Sequence, residues 1–371
     1  MIRLITFIIF SLITNLSSVY AQNKARPQEP VAPFNYSSET IYFENATANN
    51  IKLAGTLTLP KNIKNPAVAI LISGSGPQDR NSYIKPFNHK PFLVLSDYLT
   101  NNGIAVLRFD DRGTAESEGN HATATSADFA TDVEAAILYL KTRIDIDISK
   151  IGLIGHSEGG LIAPIIASKN KNIAFVVLLA GPGVNGRKVL ESQSWEMGKT
   201  AGATIETLEF NKSLTSKAYN VLKTETESGK IKSKIKLAIN TLKKELESKK
   251  SPYAVYITDA MINQLSTQIA SPWLSTFIIT EPKDYLEKTT CPTLALNGSK
   301  DLQVLPKLNL EGIEKALKNA NNEDVTIKEL ENLNHLFQTA KTGSMLEYSQ
   351  IEETFSPVAL KIISDWINKR F

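Results

Sequence analysis

Downstream of residue 66 the chain is punctuated by short, nearly continuous apolar runs, each closed by glycine or a polar turn: "AVAILISGSG", "GIAVLRFDDRG", "KIGLIGHSEGG", "IAFVVLLAGPG" and "CPTLALNGSKD". Runs of this kind form strands buried on both faces, the habit of parallel sheets. Between them lie segments with apolar residues at helical spacing, such as "DFATDVEAAILYLKTR" with Asp128 at its start. Strands alternating with helices predict an α/β fold, a mostly parallel central sheet flanked by helices. Upstream, "TIYFEN" and "IKLAGTLTLP" alternate apolar with polar residues and predict an antiparallel hairpin.

The rhythm stops from about Asn185 to Pro282, where no strand-like run occurs. Lys212 to Lys250 is rich in lysine, glutamate, leucine and isoleucine, and "SPYAVYITDAMINQLSTQIASPWLSTFI" is more apolar and aromatic. Residues 185–285 are therefore expected to form a helical cap over the carboxyl edge of the sheet, inserted between core segments 38–184 and 286–371. The lysines read as a solvated helix face. Residues 22–37, with Pro27, Pro30 and Pro33 among polar neighbours, read as an extended linker.

The first stretch, "MIRLITFIIFSLITNLSSVYAQ", opens with Arg3, continues with an apolar run and ends in Val19-Tyr20-Ala21. Residues 1–21 are expected to be a cleaved signal peptide, which predicts a periplasmic or secreted protein. The apolar run is short of the roughly 20 residues a span requires, so no stable membrane span is expected after cleavage. The chain has 371 residues, 42% of them hydrophobic, enough for a core that needs no disulfide staples. Its one cysteine, Cys291, excludes an intramolecular disulfide and a cysteine metal site. A net charge of +3, with both signs spread along the chain, gives no reason to expect nucleic acid as a partner. The oligomeric state has no signature in the sequence.

Gly155-x-Ser157-x-Gly159 follows a buried run and precedes the helix-like "GGLIAPIIASKN". A strand-to-helix turn this sharp strains the serine backbone and lifts its hydroxyl above the sheet edge, which makes Ser157 the candidate nucleophile. A serine needs a base. Of the four histidines only His335, in "LENLNHLFQ", lies after Ser157 and away from the turn. His156 reads as a packed structural residue, and His89 and His121 carry no assignment. Among the aspartates between Ser157 and His335, only Asp301 directly follows a buried run, where a carboxylate could hold the imidazole tautomer. Asp110 and Asp111, in "RFDDRG", read as turn and loop anchors beside Arg112. Oxyanion stabilisation would come from the backbone N–H groups of Glu158 and of Ser75 in "SGSGPQDRN".

In order along the chain, "SGSGPQDRN", "RFDDRGTAESEG", "GHSEGG", "SPW", "CPTLALNGSKDLQV" and "NLNHLFQ" resemble the α/β-hydrolase superfamily. More narrowly they resemble exported bacterial carboxylesterases beside the serine aminopeptidase-like and dienelactone hydrolase-like branches. The resemblance implies a cap after "IAFVVLLAGPG", hydrolysis of short acyl esters, and Ser157, Asp301 and His335 as nucleophile, acid and base. Two departures stand out: Ser73-Gly74 where many relatives have His-Gly, and Ala115 where many have glycine. Trp273, Leu274 and Phe277 are expected to line the acyl pocket. No cofactor is expected, because neither H-E-x-x-H nor G-x-x-x-x-G-K-[ST] occurs. The expected partner is a small acyl ester. Two rivals remain: an aminopeptidase or amidase, with Glu191 or Glu196 holding the substrate's amino group, and a non-catalytic binding protein on the same fold.

Overall fold

The computed structural model describes residues 26–371. The expected signal peptide, 1–21, and the first residues of the expected linker lie outside the described residues. The strands are β1 (Tyr36–Asn45), β2 (Ile51–Pro60), β3 (Val68–Ile72), β4 (Ala105–Phe109), β5 (Ile151–His156), β6 (Phe175–Leu179), β7 (Thr293–Gly298) and β8 (Val325–Leu330). The helices are α1 (Pro91–Asn101), α2 (Ser126–Leu140), α3 (Gly159–Ala167), α4 (Gly186–Thr200), α5 (Ile205–Tyr219), α6 (Ser228–Ser248), α7 (Asp259–Ile269), α8 (Pro272–Ile279), α9 (Lys283–Leu286), α10 (Pro306–Asn319) and α11 (Pro357–Asn368). They divide between two compact units: Asn185–Thr280, and a larger one holding the sheet.

In the larger unit the strands lie in the order β1-β2-β4-β3-β5-β6-β7-β8. The β1–β2 hairpin and the β2–β4 pair are antiparallel, and every other neighbouring pair is parallel. Burial follows this division. All positions of β3, β4, β6 and β7 are buried, whereas β1 alternates, with Ile41, Phe43 and Asn45 in and Tyr42 and Glu44 out. A parallel strand covered on both faces must be apolar throughout, and an edge hairpin need be apolar on one face only.

One face of the sheet is covered by Phe92, Leu95 and Leu99 of α1 and Leu360, Ile363 and Ile367 of α11. They join Leu71, Val106, Ile154, Phe175, Val177 and Leu296 in one core cluster. The alternate residues Ile70, Leu107, Leu153 and Val176 therefore face the other way, the side served by α2, α3 and α10. Thr125 and Asp128 form a capping box that fixes the start of α2.

Two boundaries differ from the sequence expectation. Within the expected linker, Arg26 donates to the carbonyls of Asn88 (3.0 Å), Ile351 (2.6 Å) and Phe87. Gln28 bonds Phe355 O at 2.6 Å and accepts from Thr354 N–H at 2.6 Å. The segment is docked because its polar side chains satisfy loop carbonyls and amides, and β1 then begins at Tyr36 rather than 38. At the other boundary the helical unit closes at Thr280 rather than 285. α9 belongs to the larger unit, where its Leu286 is buried and it packs on α3 and α10.

The smaller unit is all helical. Thr204, Thr258 and Ser271 cap the starts of α5, α7 and α8 through their side chains. Along α6, Ile231, Ile235, Ile239 and Leu242 form one buried stripe, while Lys230, Lys234 and Lys244 are exposed. Gly186 is needed for the α4–α8 approach, since a Cβ there would stand 1.9 Å from Phe277 O. Among the described residues no helix is long and apolar enough to cross a membrane.

Candidate active site

β5 runs straight into α3, and the turn between them carries Ser157 at φ +55°, a left-handed conformation that non-glycine residues rarely adopt. Two hydrogen bonds hold it there: Ser157 N–H to Leu179 O, and Gly160 N–H to Ser157 O, both 2.8 Å. Glycine is required on either side by backbone, which cannot yield. A Cβ on Gly155 would meet Gly159 O at 2.0 Å, and one on Gly159 would meet Ile72 O at 2.2 Å. The strain at the serine is thus imposed by its surroundings.

The loop after β3 closes on this turn. A Cβ on Gly74 would stand 3.1 Å from Ser157 Cβ, so the glycine lets the loop lie against the serine. Ser75 follows, half-buried, with its carbonyl accepting from Gln78 Nε2 at 3.4 Å. Glu158, next to Ser157, precedes the first turn of α3 and is buried, with Ser126 Oγ donating to its carboxylate at 2.6 Å. The N-terminal N–H groups of α3 add partial positive charge at this edge. Further along the loop, Arg80 pairs with Asp110 at 2.5 Å. Asp111 bonds Ser73 Oγ at 2.5 Å and accepts from Gln78 N–H at 2.9 Å. Arg112 turns away to Asp132, at 2.7 Å. Ala115 sits at φ +47°, a conformation suited to glycine.

Asp301 and His335 come together from two loops at the carboxyl ends of β7 and β8. His335 Nδ1 and Asp301 Oδ2 are 2.8 Å apart. The other carboxylate oxygen of Asp301 accepts from Gln303 N–H (2.8 Å) and Val304 N–H (2.9 Å). Both residues are buried, at 1% and 5% exposure, so the pair is shielded from competing water. A carboxylate facing Nδ1 places the proton there and leaves the lone pair on Nε2. Gly298 permits this loop packing, because a Cβ there would meet Leu333 O at 2.1 Å. Asn334 then closes a tight turn around His335 by accepting from the N–H groups of Leu336 and Gln338, each at 3.0 Å.

Ser157 Oγ makes no hydrogen bond to His335 among the described residues; its chain neighbour makes the link instead. His156 Nε2 lies 2.8 Å from the carbonyl of His335, and the two rings are 4.9 Å apart. A carbonyl only accepts, so Nε2 of His156 carries a proton. Burial, and then the neighbouring His335, push the His156 pKa down to about 3. His156 is thus a packed residue that also touches the loop of the candidate base, a contact between positions far apart in the chain.

The remaining candidates lie in the helical unit. Trp273 is half-buried and stacks on Phe277, with centroids 5.4 Å apart; Leu274 and Phe277 are buried. Glu191 is paired with Arg187 at 2.7 Å, and Glu196 lies 3.9 Å from Lys199. Among the described residues no group of three or more histidine, cysteine or acidic side chains is arranged to hold a metal ion.

Comparison with known proteins places this architecture. Residues 91–339 match the family described as serine aminopeptidase, S33, and the chain belongs to that family of hydrolases. An esterase of Thermotoga maritima, EstD, is 31% identical over 155 residues, 42% of this chain and 36% of that protein, so the chain matches about a third of its relative's length. Among solved structures, an esterase of Pyrococcus furiosus superposes with a TM-score of 0.54 at 15% identity, covering 92% of this chain and 94% of that one. A protein of Pseudomonas aeruginosa described as hypothetical gives 0.54 at 15%, covering 93% and 96%. At such identities the likeness is one of fold, and the fold is that of the α/β hydrolases.

Proposed function

We propose that the protein is an exported serine esterase that cleaves short-chain carboxylic esters through an acyl-enzyme. The observation that carries this reading is the buried Asp301–His335 pair, 2.8 Å apart, on the sheet edge that also bears Ser157 on its strained turn. His335 Nε2 takes the Ser157 proton as Oγ attacks the ester carbon. The N–H groups of Glu158 and Ser75 receive the oxyanion. The imidazolium, steadied by Asp301, gives its proton to the leaving alcohol, and water repeats the cycle on the acyl-enzyme. Each oxyanion donor is worth about 10²–10³ in kcat in enzymes of this chemistry. The esterase name of the Thermotoga relative supports the choice of ester over amide.

The test is a fluorophosphonate probe together with p-nitrophenyl esters of graded length. Labelling at Ser157, absent from Ser157→Ala, and hydrolysis fastest for short acyl chains are expected. Persistent labelling of Ser157→Ala would remove the serine from the mechanism. The family description makes aminoacyl p-nitroanilides the substrate to set beside the esters. Of the two carboxylates a substrate amine could use, Glu191 is engaged by Arg187 at 2.7 Å, which weighs against amide cleavage through it, and Glu196 lies 3.9 Å from Lys199.

A further inference from the structure

We propose that Asp111 is a positioning residue for this hydrolysis: its protonated carboxyl clamps both ends of the loop that carries the Ser75 N–H, and its ionisation weakens catalysis. The inference rests on the serine esterase reading above. The loop leaves β3 at Ser73 and reaches Gln78 five residues on, with Gly74 and Ser75 between. Asp111 spans it, one oxygen accepting from Gln78 N–H at 2.9 Å and the other 2.5 Å from Ser73 Oγ; in the neutral carboxyl this second oxygen carries the proton and donates it to Ser73 Oγ, and on ionisation the serine hydroxyl becomes the donor. Its own N–H donates to Gln78 O at 3.0 Å, so the carboxyl side chain and the backbone grip the same residue. Asp110 holds the next part of the loop, through Arg80 N–H at 2.7 Å and the Arg80 guanidinium.

The carboxyl of Asp111 is buried, and among the described residues no cation is bonded to it. Burial pushes its pKa up to about 8; the carboxylates of Glu158 on the elbow and Asp132 on α2 push the same way, against the hydrogen bonds from Ser73 and Gln78. Arg112 is committed to Asp132, and Arg80 to Asp110 and Glu116. His121 shares with Ser73, Gly74, Asp111 and Asp132 a cavity of about 10 Å³, about the space of one water. Its own pKa is lowered, chiefly by burial and then by Arg112, so it offers no positive charge at neutral pH. Near neutrality Asp111 is therefore mostly uncharged, which suits a loop whose task is to receive an oxyanion. As pH rises through the alkaline range it ionises, and a negative charge then sits against that loop and opposes the charge developing on the substrate.

An oxyanion donor acts on the transition state, so the effect belongs to kcat and not to KM. The experiment measures kcat and KM from pH 6 to 10 (about two units either side of the pKa above) for wild type, Asp111→Asn, Asp111→Leu and Ser73→Ala. Phosphonate labelling of wild-type Ser157 is the control. Wild-type kcat is expected to fall above about pH 8 with KM steady. Asp111→Asn keeps polar contacts but cannot ionise, and should lose this alkaline limb while its kcat at pH 7 falls by less than about tenfold. Asp111→Leu keeps the volume without the grip and should lose about 10²-fold in kcat at every pH, the value of one oxyanion donor. Ser73→Ala removes one arm, and a melting temperature near wild type with a reduced kcat would separate positioning from folding should the leucine variant not fold. The proposal is overturned if the asparagine variant keeps the wild-type alkaline limb, or if Ser73→Ala and Asp111→Leu both turn over at the wild-type rate. An unlabelled wild type would instead overturn the serine esterase reading on which it rests.

Discussion

The turn at Ser157 and the helical unit 185–280 are specified by their sequences in opposite ways. At the turn, identity is dictated: the backbone of Gly159 stands 2.0 Å from where a Cβ on Gly155 would be, and Ile72 O stands 2.2 Å from one on Gly159. No other residue type satisfies those distances. In α6 the requirement is only that Ile231, Ile235, Ile239 and Leu242 be apolar and of suitable size, while Lys230 and Lys234 need only be polar. A close backbone approach writes a motif into a sequence, and an amphipathic helix writes a period. The first can be read for chemistry and the second for architecture.

The sharpest way to test that contrast is at the serine. Ser157→Ala alters no packing of note, so its melting temperature should match wild type while kcat falls by about 10⁶. A residual ester hydrolysis within a hundredfold of wild type would break the link between the dictated turn and the chemistry. Next in size is Asp301→Asn. The amide would favour the wrong imidazole tautomer, and kcat should fall by roughly 10⁴ with phosphonate labelling slowed but present. A fall of tenfold or less, about 1.4 kcal/mol in the barrier, would mean that another group orients His335.

The helical unit should respond in stability. Ile235 is fully buried in the α6 stripe. Ile235→Ala removes methyl groups and leaves a hole, at a cost of about 2–5 kcal/mol. Denaturant unfolding should detect it, with kcat per folded molecule unchanged if the unit's interior is only scaffold.

What was legible follows the same division. The order of the buried runs, the hairpin, Ser157 with its glycines, and Asp301 with His335 could all be picked out because each is local or is ordered along the chain. The docking of Arg26 and Gln28 was not legible, because a polar segment beside prolines looks solvated whether or not its side chains find distant carbonyls. Nor was the contact of His156 with the His335 carbonyl, or the grip of Asp111 on Ser73. Arg112 shows the limit well. It adjoins Asp111 in the chain, yet its partner is Asp132 on α2. Polar pairs of this kind are chosen by three-dimensional proximity and leave no period.

His89 extends the contrast to pH. It is fully buried, between Thr354 Oγ1 (2.9 Å) and Tyr348 O (3.1 Å). Burial, and then the nearby charge of Arg26, lower its pKa to about 4. A depressed histidine contributes stability that is present above its unfolded pKa, near 6.5, and is lost as pH falls toward the folded value. Melting temperature should therefore drop between about pH 6.5 and pH 4, and His89→Gln should flatten part of that drop while costing stability at pH 7. His156 adds a slope of the same sign, so some decline should survive in the glutamine variant. An identical pH profile in both proteins would exclude His89 as a source of the acid sensitivity.

The smallest expected effect on stability falls on Trp273, where the two kinds of specification meet. It stacks on Phe277 at 5.4 Å with planes 17° apart, and it is only half-buried, unlike the stripe of α6. A stacked pair contributes about 0.5–1.5 kcal/mol beyond its buried area, so Trp273→Ala should lower stability modestly. Packing alone would leave the ratios of kcat/KM among acetyl, butyryl and octanoyl esters as they are in wild type, because a stability loss scales every substrate alike. The expectation that Trp273 meets the acyl chain requires more. Truncating an aromatic ring that a chain packs against should penalise the longer ester, or release it, by roughly 10–200-fold, the range open to apolar discrimination. A changed ratio at unchanged folded fraction would carry chemistry into a region whose sequence shows only period. A constant ratio would leave the ring as part of the scaffold, where Phe277 already explains its position.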